Sequence, residues 1–383
     1  MPRVVEAFSG IRSQTQALKN LGIDHEVVAT FEIDKWAIEM AELLHGKVNN
    51  LGDISKVDPK EVPEHDLFTY TFPCQDISTA GHQGGLEKNS GTRSSLLWEC
   101  KKIIEYHKPK YLLMENVDNL LSKRHIKQFM DWLVVLEKLG YKNYYKILNA
   151  KDYRIPQRRK RVFCVSIFGN EKYVFPKPIE LKLRLRDMLE KEVPEKYYLK
   201  DIDNNKFHVN MNKKQGYFIS GEVANALTSK NGRNNLIQVG YINKNSQGNR
   251  VYTDDMACTI NALGGGGGAK TGLYLVPNEK IIEDDISYCI IVNYHKGTNL
   301  KGYFKKGRRQ LIQDDNFRIR RLTPRECWRL MGWKDEQIDK VIHFSDKQLI
   351  EKAGNSIVID VLEEIFRSLF LTIHEEENEY RLF

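Results

Sequence analysis

Residues 3–34, RVVEAFSGIRSQTQALKNLGIDHEVVATFEID, determine the predicted fold of this chain of 383 residues. The apolar run Val4–Phe8 predicts a short strand that ends in Ser-Gly, and Glu26–Ile33 predicts a second strand. Between them, Ser13–Gln16 matches a capping box for a helix that closes at Gly22. Strand, helix and strand within about 30 residues is the pattern of a βαβ unit on a parallel sheet.

The alternation of strand and helix patterns continues to about residue 170. Further strands are predicted at Asp66–Phe72, Tyr111–Glu115, Tyr144–Leu148 and Arg161–Phe168, and further helices at 35–44 with Asp34 as N-cap, Ser95–Tyr106 and Lys123–Leu139. Helical patterns return at Pro324–Met331 with Thr323 as cap, at Asp346–Ala353 and at Ile357–Thr372. We therefore predict a doubly wound, mostly parallel, Rossmann-like α/β fold that binds ligands outside the carboxyl ends of its strands.

The middle third of the chain holds the whole net charge of +8. Residues 176–320 contain 24 Lys and Arg against 16 Asp and Glu, and the rest of the chain is balanced. A solvated basic surface and a face for a polyanion both account for this charge. The same segment is rich in glycine and loses the strand and helix rhythm. We predict an α/β catalytic and cofactor-binding domain at 1–175, a smaller basic β-rich domain at 176–317, and a segment at 318–383 that returns to the first domain.

Composition argues against several other classes of protein. No stretch approaches the roughly 18 apolar residues of a membrane span, and MPRVVEAFSG is too short in its apolar part for a signal peptide. The six cysteines lie at least 26 residues apart, which excludes CxxC zinc and redox pairs. We therefore expect a cytoplasmic protein with reduced thiols, without a metal site and without a membrane partner.

Polar residues that suit a nucleotide follow the first two predicted strands. The turn Phe8–Ser13 contains one glycine and opens a helix, which taken alone is a weak glycine motif. Glu32 ends the second strand, where an acidic residue of a doubly wound fold accepts hydrogen bonds from a ribose diol. Asp53 is a candidate acceptor for an adenine amino group. For each acid taken alone, a solvated or capping role fits at least as well.

A cysteine and a glutamate follow the next two strands. Cys74 comes after Pro73, which fixes the backbone, and before a polar loop, Gln75–His82. That context favours an exposed nucleophile over a small buried apolar residue. Glu115 emerges from the apolar strand Tyr111–Met114, where a partly desolvated carboxylate with a raised pKa can share a proton.

Five motifs in this order and spacing resemble the cytosine-C5 DNA methyltransferase family. They are Phe72-Pro73-Cys74-Gln75, Glu115-Asn116-Val117, Gln157-Arg158-Arg159-Lys160-Arg161, Arg321-Leu322-Thr323-Pro324-Arg325-Glu326 and Gly354-Asn355-Ser356-Ile357-Val358. The resemblance covers residues 3–170 and 318–372. It departs at Arg12-Ser13, where the family usually has Gly-Gly, and this affects the expected shape of the methionine end of the cofactor pocket.

The resemblance implies a chemistry and a set of site residues. S-adenosylmethionine is the methyl donor, Cys74 adds to C6 of cytosine, and Glu115 acts at N3. Arg161, with Arg159 beside it, supports the base at O2, and the base is flipped out of the duplex. The implied cofactor residues are Phe8, Gly10, Ile11, Glu32, Ile33, Asp53, Ile54, Pro73, Leu96, Asn355 and Ser356.

By the same resemblance, the basic middle segment is a target-recognition domain that reads a short GC-containing site. The implied DNA contacts are Gln75, Ser78, Gln247, Arg250, Thr259, Gly264 and Gly265, since amide side chains and glycine-loop backbone suit base edges. The expected partner is double-stranded DNA, bound by a monomer, with a cognate restriction endonuclease as a further candidate partner. Two alternatives are a tRNA cytosine-C5 methyltransferase, which the long basic segment disfavours, and a non-catalytic DNA-binding relative, which the intact Cys74, Glu115 and Arg161 disfavour.

Overall fold

The structure is a computed structural model that describes residues 1–72, 96–197 and 322–371, and the backbone of six short strands between 207 and 320. The chain divides into two compact units. The first unit comprises Met1–Tyr153, Lys160–Glu180 and Ser356–Phe383, and the second comprises Arg154–Arg159 and Leu181–Asn355.

The secondary structure of the described residues alternates as the sequence predicts. The strands are β1 Arg3–Ala7, β2 Glu26–Phe31, β3 Leu67–Tyr70, β4 Tyr111–Val117, β5 Tyr141–Asn149, β6 Lys160–Phe168, β7 Phe207–Val209, β8 Gln238–Ile242, β9 Arg250–Thr253, β10 Leu273–Leu275, β11 Ile312–Gln313 and β12 Ile319–Arg320. The helices are α1 Ser13–Asn20, α2 Lys35–His45, α3 Leu97–His107, α4 Ile126–Lys138, α5 Leu185–Met188, α6 Pro324–Arg329, α7 Asp335–Ile338, α8 Asp346–Asn355 and α9 Ile359–Phe370. Single 3₁₀ turns lie at Ile54–Lys56, Pro59–Glu61, Asp118–Leu121, Ala150–Asp152 and Glu195–Tyr197.

Six strands of the first unit form one sheet in the order β2-β1-β3-β4-β6-β5. Strands β1 to β4 pair in parallel, whereas β6 runs antiparallel to both of its neighbours, β4 and β5. The α/β fold is therefore confirmed. The reversed strand β6 was not predicted, because an apolar run shows that a strand is buried but not the direction in which it enters the sheet.

The central strands are apolar because both of their faces are covered. In β1, Val4, Val5 and Ala7 are all fully buried, and Leu112 and Met114 of β4 belong to the same core as Val5 and Ala7. Continuous apolar runs of this kind are what a parallel sheet packed on both faces requires. The carboxyl ends of these strands therefore have a fixed position, on which a site can be built.

Two of the predicted helix starts are confirmed and one is wrong. Asp34 caps α2 by accepting from the N–H groups of Trp36 and Ala37, and Thr323 forms a capping box with Glu326 at α6. The capping box predicted at Ser13 is absent, because the N-cap of α1 is Arg12 in the left-handed conformation, with no side-chain cap. The N–H of Thr15 donates instead to the buried Glu6 carboxylate of β1.

The second unit contains α5 to α8 and the short strands β7 to β12. Strands β10, β9, β8 and β7 form a four-stranded sheet in that order, and β11 pairs with β12. Most of the predicted basic domain lies outside the described residues, so its extent stays a prediction. Among the described helices, none combines the length and the apolar character that a membrane span requires.

A buried histidine, His65, lies two residues before β3 and is expected to make the stability of the first unit depend on pH. His65 packs against His107 with ring centroids 4.9 Å apart, and its Nδ1 lies 2.8 Å from the carbonyl oxygen of Pro63. In the neutral ring, Nδ1 donates its proton to that carbonyl. Burial lowers the pKa of His65 to about 4.

We expect the free energy of unfolding to fall as the pH drops from 6.5, the usual value for histidine, to about 4. In this window the unfolded chain binds a proton that folded His65 does not, and the full difference is worth roughly 3 kcal/mol. Urea unfolding at several pH values measures it. His65→Asn keeps a donor near the Nδ1 position but does not titrate, and it should lose most of the effect. The exposed His343→Asn is the control, and equal pH dependence in both variants would contradict the assignment.

Candidate active site

The sheet order places a topological switch point between β1 and β3. The chain continues from β1 to β2 on one side, while β3 and β4 extend the sheet on the other. Ligands of doubly wound folds bind in the crevice outside the carboxyl ends of the strands at such a point. Two hydrogen bonds join these ends directly: Thr71 Oγ1 donates to the carbonyl of Phe8 at 3.2 Å, and the N–H of Ser9 donates to the carbonyl of Phe31 at 3.2 Å.

The turn after β1 has an unusual backbone that leaves its outer side open. The φ angles of Phe8, Gly10 and Arg12 are 56°, 54° and 60°, all left-handed. Such a conformation costs a residue other than glycine roughly 1–2 kcal/mol. A Cβ added to Gly10 would meet no atom of the described residues within 4 Å. The turn therefore has open space on which a ligand can lie, and Phe8 packs against the core beneath it.

Glu32 fixes this turn from the end of β2. Its Oε2 accepts from the N–H of Gly10 at 2.9 Å, and its Oε1 accepts from the N–H groups of Ile33 and Asp34 at 2.9 and 2.8 Å. A carboxylate oxygen accepts two hydrogen bonds, so Oε2 can still receive one from a ligand hydroxyl. Ile33 is 76% exposed and offers an apolar surface beside it. These residues suit a nucleoside, whose ribose needs an acceptor and whose base needs an apolar contact.

Asp53 has the capping role that the sequence left open. Its Oδ1 accepts from the N–H and the hydroxyl of Ser55 at 3.0 and 2.7 Å, so it caps the 3₁₀ turn Ile54–Lys56. The hydrogen bonds from Ser55 lower the pKa of Asp53, and the nearby Lys56 lowers it further. Ile54 is buried in the core. Contact of Asp53 with an adenine stays a prediction.

Arg12, where the sequence departs from the family pattern, points into the interior. Its Nε lies 3.2 Å from Oε2 of Glu6, and its side chain is 4% exposed. The outer side of the turn is therefore not filled by this residue. Sequence reasoning missed the pair, although a glutamate inside an apolar strand and an arginine in a glycine position were both visible signals.

A second ion pair joins β4 and β6 at the same edge of the sheet. In the antiparallel ladder Val117 lies opposite Arg161 and Glu115 lies opposite Phe163, so Glu115 and Arg161 are diagonal neighbours on one face. Arg161 Nε lies 3.1 Å from Glu115 Oε1, and both side chains are about nine-tenths buried. The carboxyl end of β4 and the amino end of the reversed β6 meet here. The structure therefore brings together two of the residues predicted to act on the base.

Asn116 links this pair to the end of β3. Its Nδ2 donates to the carbonyl oxygen of Phe72 at 3.1 Å, and its Oδ1 accepts from the N–H of Val117 at 2.9 Å. Asn116 is buried, so this contact is shielded from water. It fixes the backbone immediately before the Pro-Cys pair of the sequence motif.

The remaining described site residues lie elsewhere in the two units. Leu96 precedes α3 and packs on the core of the first unit, where Ser356 is also buried. In the second unit, Arg159 is buried and donates to the carbonyl of Gly354 at 3.1 Å, near Asn355 at the end of α8. Gln157 donates to the carbonyl of Leu330 at 2.6 Å. The first contact ties Arg159 to the end of α8, and its action beside Arg161 on the base stays a prediction.

The predicted nucleophile, the predicted cofactor residue Pro73 and the predicted DNA contacts lie outside the described residues. These are Pro73, Cys74, Gln75, Ser78, Gln247, Thr259, Gly264 and Gly265, and of Arg250 only the backbone, in β9, is described. The described cysteines, Cys100, Cys164 and Cys327, are all buried. Burial raises the pKa of each thiol, that of Cys164 to about 12, so none of them forms a thiolate near neutral pH. In the described ranges, no three metal-binding side chains lie together.

A family model and two relatives place the chain in one family, and a solved structure matches its fold. The model of a family described as C-5 cytosine-specific DNA methylase matches residues 2–371. A type II methyltransferase of Lactococcus lactis subsp. cremoris, M2.ScrFI, is 37% identical and the match covers 97% of this chain and 99% of the relative. Another, M.HhaI of Haemophilus parahaemolyticus, is 31% identical over 95% of this chain and 92% of the relative. The crystal structure of S. pombe Dnmt2 methyltransferase matches the fold with a TM-score of 0.65 at 20% identity, over 97% of this chain and 98% of that one.

Proposed function

Because the chain belongs to the cytosine-C5 DNA methyltransferase family, we propose that it methylates a flipped-out cytosine in duplex DNA through a bond between Cys74 and C6. The observation that supports this most directly is the Glu115–Arg161 pair, whose Nε and Oε1 are 3.1 Å apart at the edge of the sheet. The same edge holds the open turn Phe8–Ser13. A group that acts on a base therefore lies on the same sheet edge as a surface suited to a nucleoside.

Three residues, Cys74, Glu115 and Arg161, act on the cytosine in this proposal. The thiolate of Cys74 forms a bond to C6, and the displaced ring electrons accumulate at N3 and on the C4–C5 bond. Glu115 first takes up a proton from solvent and, as the neutral acid, donates it to N3, while Arg161 holds the glutamate and donates toward O2. With S-adenosylmethionine bound, C5 would take its methyl group as the carbon–sulfur bond breaks, and a neutral thioether would be left. Loss of the C5 proton to a base and departure of the Cys74 thiolate restore the aromatic ring.

S-adenosylmethionine, when bound, supplies an electrophilic methyl group on a sulfonium. The residues present fit such a group, since within the described part of the chain the outer side of Gly10 is open, Oε2 of Glu32 has room for a second donor and Ile33 is exposed. We assign the ribose to Glu32 and an apolar contact with the base to Ile33. Contacts of Asp53, Pro73, Leu96, Asn355 and Ser356 with this cofactor stay predictions.

Sequence reading is assigned to residues 176–320. The net charge of +8 in this segment suits phosphate binding, which weakens steeply with salt because bound counterions are released. Gln247, Arg250 and Thr259 are the side chains that we expect at base edges or phosphates. A short GC-containing site, action as a monomer and a cognate restriction endonuclease remain predictions.

Methyl transfer from tritiated S-adenosylmethionine to purified duplex DNA and to tRNA, side by side, tests the proposal. We expect label in DNA only, and bisulfite sequencing of that DNA should show 5-methylcytosine at one short site. Label in tRNA alone would overturn the assignment of the substrate. Binding to DNA without transfer of label would show a non-catalytic relative.

The Glu32→Ala variant should bind S-adenosylmethionine at least about tenfold more weakly, with DNA affinity nearly unchanged. It removes both the acceptor for the ribose and the bond that fixes Gly10, each worth about 1 kcal/mol or more. Titration calorimetry measures the change. Glu26→Ala, at the start of the same strand and ion-paired with the half-exposed Arg3, is the matched control. Equal cofactor affinity in both variants would refute the role of Glu32.

A further inference from the structure

The Glu6–Arg12 ion pair lies beneath the turn Phe8–Ser13, which we call the cofactor turn. The pair has no task in the proposed reaction. Glu6 lies in β1 and is 0% exposed, and Arg12 is 3% exposed. Because β1 lies between β2 and β3 in the sheet and Glu6 is fully buried, the carboxylate does not reach solvent. Burying a charge of this kind is costly unless it is paired and hydrogen-bonded.

Thr15 joins the two side chains in one hydrogen-bonded cluster. Glu6 Oε2 contacts Arg12 Nε at 3.2 Å, and Oε1 accepts from the N–H and the hydroxyl of Thr15, both at 2.9 Å. Arg12 Nη2 donates to the same hydroxyl at 3.2 Å, and Nη1 lies 3.5 Å from the carbonyl of Gly46. The cluster is therefore electrically neutral, and its two charges are fixed in place.

Because the cluster lies close to the cofactor turn, its net charge affects how tightly the turn binds a charged ligand. Arg12 follows Gly10 by two residues, so their Cα atoms are at most about 7.6 Å apart. Buried charges are screened much less than exposed ones, so an unbalanced charge here would act on any ligand on the turn. The methyl donor carries a positive sulfonium, whereas the product, S-adenosylhomocysteine, has a neutral thioether and is otherwise identical.

We propose that Arg12 is a specificity-determining residue that cancels the field of Glu6 at the cofactor turn, so that the site does not favour the cationic methyl donor over its neutral product. This rests on the proposed use of S-adenosylmethionine. Without Arg12, the Glu6 carboxylate would attract the sulfonium and leave the binding of the product unchanged. The arginine that replaces the family's usual glycine therefore makes the enzyme more sensitive to its own product.

The ratio of the two affinities separates this role from a purely structural one. Loosening of the turn weakens donor and product alike and leaves the ratio unchanged. An unpaired charge acts on the sulfonium alone and changes the ratio. A unit charge about 10 Å away, at an effective dielectric constant of about 20–40, corresponds to a factor of about 4–15.

The test is titration calorimetry of the full chain with S-adenosylmethionine and S-adenosylhomocysteine. Arg12→Met keeps the stem and the left-handed backbone but removes the charge, and it should raise the affinity ratio of donor to product about 4–15-fold. Glu6→Gln leaves Arg12 unpaired and should lower the ratio by a similar factor. The double variant Arg12→Met/Glu6→Gln is neutral again and should return to the ratio of the native chain. Arg12→Lys keeps the charge and should not change it.

The possible outcomes distinguish a failure of the proposed function from a failure of the role given to Arg12. A native chain that binds neither ligand overturns the proposed function, and this inference with it. Binding of both ligands with one ratio in all variants overturns the role of Arg12 alone. Since the loss of one partner of a buried pair costs stability, each ratio is measured at a temperature where circular dichroism shows the variant folded. The affinity ratio of donor to product should rise in Arg12→Met and fall in Glu6→Gln. Either variant alone therefore tests the proposal if the other does not fold.

Discussion

Replacing Cys74 by serine should lower methyl transfer by several orders of magnitude while leaving DNA affinity intact. A serine hydroxyl is hardly ionised near neutral pH and is a much weaker nucleophile than a thiolate, so the bond to C6 does not form. Single-turnover transfer of labelled methyl groups into DNA measures the loss. Gel-shift titration of the same DNA should show unchanged binding, because the contacts with phosphates do not involve the thiol.

A mechanism-based trap gives an independent readout of the same prediction. With 5-fluorocytosine in the target site, the fluorine at C5 cannot leave as a proton does, so the bond between Cys74 and C6 should persist. The native chain should form an adduct that survives denaturation, and Cys74→Ser should form none. Cys100→Ala, which removes a fully buried thiol, is the control and should retain both activity and adduct at a temperature where it is folded. Substantial turnover by Cys74→Ser would overturn the covalent mechanism.

Elements with local signals were predicted from the sequence. Asp34 caps α2 and Thr323 caps α6 because a helix start is decided by a short side chain and the next three N–H groups. The rule that parallel strands present their carboxyl ends at one edge also placed Gly10, Glu32 and Glu115 correctly along the sheet. None of these conclusions needed a long-range contact.

Pairings that depend on tertiary structure were not predicted. The contact between Glu115 and Arg161 follows from the register of β4 against the reversed β6, and neither register nor direction is encoded by an apolar run. The Glu6–Arg12 pair requires the left-handed backbone at Arg12, which the residue type disfavours. In both cases the cost of an unfavourable local conformation or of burying a charge is offset by a partner that the folded backbone brings into contact.

Glu115→Gln should lower the turnover of bound DNA by about 10²–10⁴-fold, which is the range found when an acid–base group is lost. This corresponds to a rise of about 3–5 kcal/mol in the activation free energy. In the native chain, Arg161 Nε lies 3.1 Å from Glu115 Oε1. The amide oxygen of the glutamine can still accept from this Nε, so the geometry of the pair is kept. What disappears is the proton that a carboxyl can give to N3 as charge accumulates there. Single-turnover rates at saturating cofactor and DNA measure this step without contributions from binding.

In Glu115→Gln, it matters whether turnover or the affinity for the cofactor falls, and not only by how much. If the glutamate acts on the base, calorimetry should show unchanged affinity for S-adenosylmethionine in Glu115→Gln, because the turn Phe8–Ser13 and Glu32 remain intact. Glu105→Gln, an exposed residue of α3 paired with Lys101, is the matched control and should keep full turnover. If instead the affinity for the cofactor falls by the same factor as turnover, Glu115 belongs to the cofactor site. The proton at N3 would then have to come from another group.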